Sequence, residues 1–98
     1  MLTVIARIEA RPEHVAALKQ AMLGLLAPTR AEPGCLDYAL LESTDDPALF
    51  YFHEHWTDRA ALEAHWQSAH LRAYREATKG WIERREVSVL QDAAATQP

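Results

Sequence analysis

Residues 48–56 read ALFYFHEHW, and this stretch decides the fold. It interleaves two sets. Phe50, Phe52, Glu54 and Trp56 form one, and Tyr51, His53 and His55 form the other. Aromatic enrichment over so short a run reads as a strand. Side chains alternate across a strand, so each set occupies its own face. Just upstream, Thr44-Asp45-Asp46-Pro47 is a turn. Before it, residues 35–43 alternate as a second strand, with Leu36, Tyr38 and Leu40 on one face and Cys35, Ala39 and Leu41 on the other. The short link predicts an antiparallel hairpin.

Further out, residues 2–9 form a first strand, where Leu2, Val4, Ala6 and Ile8 alternate with Thr3, Ile5, Arg7 and Glu9. Pro12 opens a helix at a position where its missing N–H costs nothing. Val15, Leu18, Met22 and Leu25 make its buried stripe, which Pro28 should bend or end. Glu32-Pro33-Gly34 signals a turn. Downstream, Asp58 is placed to cap a short helix from Arg59 to Trp66. Ser68 is placed to cap a segment over 69–80, which Gly80 ends, with Leu71, Tyr74 and Thr78 inward. Residues 85–90 are the last strand. The order βαββαβ predicts an α+β, ferredoxin-like domain with an antiparallel sheet. The domain is expected over 1–91. The tail, 92–98, lacks a large apolar residue and is expected to be loosely ordered.

The chain has 98 residues, ten basic against fourteen acidic, for a formal charge of −4. No basic stripe interleaved with aromatics is present, so nucleic acid is not an expected partner. No segment reads as a signal peptide or membrane span. With Cys35 as the one cysteine, no intrachain disulfide can form. Cys35 reads as a small buried hydrophobe. A cytoplasmic location fits these features.

Two helical elements cover one face of a four-stranded sheet. Yet Val4 and Ile5 point to opposite sides, as do Phe50 and Tyr51. A bare face with this much apolar surface predicts a homodimer packed sheet to sheet.

Four of the five histidines lie in one stretch: His53, His55, His65 and His70. His53 and His55 share a strand face and could be half a metal site, with His65 or His70 as a third ligand. No acidic residue has clear ligand spacing with them, so no metal is expected. Glu54 sits among large aromatics. It is either structural, held by Arg7 or backbone amides, or a pocket carboxyl with a raised pKa. His70 opens a helix, where the dipole disfavours imidazolium and leaves a neutral proton acceptor. Trp66 and Tyr74 are core residues or aromatic pocket walls with donor groups. There is no glycine-rich nucleotide loop and no nucleophile elbow, so no NAD, flavin or ATP is called for.

Several stretches together carry a family pattern. Leu2-Thr3-Val4-Ile5-Ala6 leads into the proline-opened helix, and Glu32-Pro33-Gly34-Cys35-Leu36-Asp37-Tyr38 follows. Phe50-x-Phe52-x-Glu54-x-Trp56 then runs into Asp58-x-x-Ala61-Leu62-x-x-His65 and Ser68-Ala69-His70. This resembles the antibiotic biosynthesis monooxygenase family, especially its quinol-monooxygenase-like members, over about residues 2–91. The resemblance implies a dimeric α+β barrel and cofactor-independent oxygenation of quinols or phenols by dioxygen. By position it implies catalytic roles for Glu54, His65 and His70, and aromatic roles for Tyr38 and Trp56. Haem-degrading relatives carry a first-strand Asn and a His ten residues after a helical Trp. Here Ala6, Arg7 and Glu76 stand at those places, which argues against haem.

The expected reaction has His65 or His70 removing a hydroxyl proton from a small aromatic substrate. Trp66, Tyr38 or Arg7 would stabilise the anion, with Phe50, Phe52, Trp56 and Tyr74 as walls. The rival readings are an isomerase or degradative enzyme for a small carbonyl metabolite, and a non-catalytic dimeric ligand-binding module.

Overall fold

The computed structural model describes residues 1–94. It runs β1 (Leu2–Ala10), a 3₁₀ turn (Pro12–His14), α1 (Val15–Leu23), α2 (Leu26–Arg30), β2 (Cys35–Glu42) and β3 (Leu49–Trp56). After these come α3 (Arg59–Trp66), α4 (Ala69–Ala77) and β4 (Ile82–Leu90). The sheet is antiparallel in the order β2-β3-β1-β4, which is the expected α+β, ferredoxin-like arrangement. Among the described residues no helix is long and apolar enough to cross a membrane.

The alternation in β3 is as read. Phe50, Phe52, Glu54 and Trp56 are buried beneath the helices, and Tyr51, His53 and His55 face the other way. Register then builds the inner face in rows. Tyr38, Glu54, Val4 and Val89 form one row, and Leu40, Phe52, Ala6 and Val87 the next. Phe50, Ile8 and Arg85 form a third. Leu18, Met22, Leu25 and Leu62 close the core from above.

Four local expectations are corrected. The helix breaks at Gly24–Leu25 rather than at Pro28, which lies in the first turn of α2. Proline's ring clashes with the carbonyl four residues before it, which here belongs to Gly24, so the break sits upstream. In β2 a bulge after Cys35 places Cys35 opposite Trp56 and Tyr38 opposite Glu54, on one face. Leu36 is thereby expelled and 56% exposed. Helix α4 ends at Ala77, with Gly80 (φ +85°) turning the chain afterwards. Strand β4 begins three residues earlier than read, at Ile82. Of the tail expected to be loose, Asp92 closes a turn onto the Ala94 N–H, and 95–98 lie outside the described residues.

Candidate active site

The turn between α2 and β2 brings the first functional group. Glu32 N–H donates to the Thr29 carbonyl, Cys35 N–H to the Glu32 carbonyl, and Thr57 N–H to the Gly34 carbonyl. Arg30 Nε donates to the Tyr38 carbonyl. These bonds hold the Glu32 carboxylate over the start of α4 and the end of α3. The opposing helices are capped as read, with Asp58 Oδ1 accepting from Ala61 N–H at 2.9 Å and Ser68 Oγ from Leu71 N–H. The Ser68 hydroxyl also donates to the His65 carbonyl, tying the two helices together at the histidines.

One oxygen of Glu32 meets both imidazoles, His65 Nδ1 at 2.7 Å and His70 Nε2 at 2.8 Å. A carboxylate oxygen accepts, so each of those nitrogens carries a proton. That fixes the tautomer of His65 and leaves its Nε2 lone pair free, the geometry of an oriented base. The His65 side chain is 3% exposed, against 25% for His70. Burial lowers the pKa of His65, and the neighbouring Glu32 only partly opposes this. The ring lies 4.7 Å from Trp56 and edge-on to Tyr38 at 5.6 Å.

Below His65 lies a cavity of about 40 Å³ between sheet and helices. Val4, Ala6, Phe52, Glu54 and Tyr38 form its floor, and Trp66, Leu71 and Tyr74 its roof. The small side chain of Ala6, central in the sheet, leaves this space open. Glu54 Oε1 accepts from the Trp56 indole N–H at 2.9 Å. Burial, against that hydrogen bond and with help from Glu32, pushes the Glu54 carboxyl up to about 7. Burial also pushes Tyr38 strongly up and Tyr74 up to about 12. Near neutrality the chamber thus holds a carboxyl that is still partly protonated and a neutral imidazole, the pairing of an acid with a base.

The Glu54 shift has a testable sign. Its folded pKa is raised, so the folded state holds the proton better than the unfolded chain does. Stability on this account is full below the ordinary 4.5, falls between 4.5 and about 7, and is level above that. Glu54→Gln keeps the acceptor for Trp56 but cannot ionise. It is expected to match the parent near pH 4.5 and to exceed it at pH 8 by about 3 kcal/mol, or roughly 15 °C in Tm. His65 works in the opposite sense. Its lowered pKa costs stability as pH falls below 6.5, a limb the variant keeps. Thermal melts across pH check this, and an equal gain at pH 5 and pH 8 would contradict it.

Not every expected site residue is here. Arg7 lies on the far sheet face, beside Tyr51 and 3.5 Å from Glu9, so neither Glu54 nor the chamber is in its reach. His53 and His55 stack edge-on at 4.9 Å on that same far face, so the sheet separates them from His65 and His70. Phe50 is buried at the other end of β3 and does not line the cavity. Trp56 is fully buried and backs the wall through Glu54 and His65. Glu32 was missed, because Glu32-Pro33-Gly34 reads as a turn. With it, Glu32, His65 and His70 each offer one ligand atom within 4.8 Å, a donor set suited to a transition-metal ion.

The sequence profile described as "Antibiotic biosynthesis monooxygenase" matches residues 1–77. The chain belongs to this family. Its function is of the monooxygenase type, on a small-molecule substrate. A relative named "Probable quinol monooxygenase YgiN" from Escherichia coli K12 is 34% identical, across 93% of this chain and 97% of its own. Two solved structures are also similar. PA3566 from Pseudomonas aeruginosa has a TM-score of 0.89 and 38% identity over 93% of this chain and 92% of its own. Rv0793 from Mycobacterium tuberculosis has a TM-score of 0.87 and 36% identity over 93% of each chain.

Proposed function

We propose that residues 1–91 form a cofactor-independent monooxygenase, active in the cytoplasm, that oxidises a quinol or phenol-like aromatic with dioxygen. The observation that carries the reading is the Glu32–His65 pair at 2.7 Å, set over a buried, aromatic-walled chamber. His65 Nε2 takes the hydroxyl proton of the substrate. The resulting anion passes electrons to dioxygen, and an oxygen atom bonds to the ring carbon. That carbon loses its hydrogen, and the second oxygen atom leaves as water. A phenol thereby becomes a quinone, and a quinol a hydroxyquinone, with all four electrons drawn from the ring. His65 returns its proton and Glu54 supplies the second that the departing oxygen needs to become water, and the proton lost by the ring carbon restores Glu54. Tyr38, Phe52, Trp66 and Tyr74 enclose the reacting edge and exclude water.

Oxygen uptake with a panel of reduced naphthoquinols tests this, run on chelator-treated and metal-loaded protein in parallel. Uptake in the chelated protein is expected. Uptake only after metal loading would replace the cofactor-free reading with one through Glu32, His65 and His70. Turnover persisting without oxygen would indicate an isomerase, and saturable binding without turnover a ligand-binding module.

The reading includes a homodimer. The face away from the helices carries Ile5, 37% exposed and opposite His53, and Leu41, 52% exposed and opposite Tyr51. A second copy covers them by sheet-to-sheet packing about a two-fold axis. Sedimentation is expected to give twice the 11.1 kDa chain mass, and Leu41→Glu to return the protomer. A lone protomer at micromolar concentration would contradict this.

A further inference from the structure

We propose that the substrate carries an acidic group, carboxylate or phosphate, on the part of the ring that stays outside the chamber, where Arg85 and Arg75 receive it. This deepens the proposed function and rests on its location of the site. The chamber's 40 Å³ is about the space of one or two waters, so it admits a reacting edge or dioxygen, not a whole ring. The ring must lie in the clefts that adjoin it. One, of about 510 Å³, runs between Trp66, Gln67 and Arg75 on the helical side and Arg85, Val87 and Val89 on β4. The other, of about 340 Å³, lies beside Leu71, Tyr74 and Lys79 and is also bordered by Arg75 and Arg85. Both are large enough for a small aromatic ligand.

Arg85 borders the chamber and both clefts. Its register opposite Ile8 puts it on the helix side of the sheet. Among the described residues its guanidinium makes no hydrogen bond and no ion pair. Arg75 is aimed by its own hydrogen bond to the Trp66 carbonyl, at 2.9 Å. Lys79 adds a third cation, and no carboxylate lines either cleft. In a chain of net charge −4, this is a local reversal of sign. Apolar walls with an unspent guanidinium at the rim fit a flat ring ending in an anion, which Arg binds through two donors.

Calorimetric titration with inert probes tests this without turnover: 2-naphthol, 2-naphthoate and 2-naphthyl phosphate. At low salt, at least one anionic probe is expected to bind ten-fold or more tightly than 2-naphthol. Which one does so distinguishes carboxylate from phosphate. Arg85→Gln is expected to remove that advantage while changing 2-naphthol binding less than two-fold. Arg72→Gln, exposed on α4 and outside both clefts, should leave it intact. Equal affinity for neutral and anionic probes, no saturable anion binding, or an equal loss in both arginine variants would overturn the proposal. Anion-selective binding without oxygen uptake would instead sink the monooxygenase reading and leave this one standing.

Discussion

His65→Ala is expected to lower kcat/KM for quinol oxidation by about 10² to 10⁴-fold, the usual worth of a positioned general base. Burial and tautomer together single out His65. His65 lines the chamber and its Nδ1–H is spent on Glu32, so Nε2 is the free base. His70 touches the same Glu32 oxygen but does not line the cavity. Its role is to hold the carboxylate from the far side, so His70→Ala is expected to cost less than about ten-fold. Glu32→Gln retains the shape and loses the charge, and is expected to fall between the two, at about 10 to 100-fold. Because burial lowers the pKa of His65, the acid limb of the parent's kcat/KM profile should lie below the ordinary 6.5. In Glu32→Gln the charge that favours imidazolium is gone, and the limb should move lower still. Stopped-flow oxygen uptake across pH measures both quantities. A loss in His70→Ala equal to that in His65→Ala would move the base to His70.

Gly34→Ala should cost more stability than the same methyl addition at Gly80, the other glycine with positive φ. Gly34 has φ +85°, in the left-handed region that strains any residue with a Cβ. A Cβ there would also stand 2.5 Å from the Ala61 Cβ and 2.7 Å from the Thr57 Oγ1. Both neighbours lie at the start of α3, whose body is packed into the core through Leu62. Backbone strain of about 1–3 kcal/mol adds to overpacking of about 1–3 kcal/mol, for a total of roughly 2–6 kcal/mol. Gly80→Ala is the control. It has the same φ, but its Cβ would meet nothing within 4 Å, so it should cost only about 1–2 kcal/mol. Urea unfolding of both variants measures the difference, and equal midpoints would show that the contact with α3 does not matter. Any Gly34→Ala protein that folds should also lose activity, since the same turn holds Glu32 against His65.

The strand order was legible because each strand and helix advertises its own period and its own caps. Alternation in 48–56 placed Glu54 with Phe52 and Trp56 and away from His53 and His55, and Asp58 and Ser68 marked two helix starts where the chain uses them. Local register was less legible. The bulge after Cys35 and the helix break upstream of Pro28 each displace residues by a position or more, and single-residue slips exchange faces.

Sequence alone therefore determined the element order, the fold class, the aromatic floor and the two competing histidines, since these follow from near-neighbour chemistry. Tertiary structure alone decided that Glu32 joins His65 and His70 across 33 and 38 positions, that Arg7 is shut out by the sheet, and that Arg85 stands at the mouth. Such contacts depend on how elements pack, and no local period encodes them. The opposite pKa shifts of Glu54 and His65 arise the same way, from the burial that packing creates.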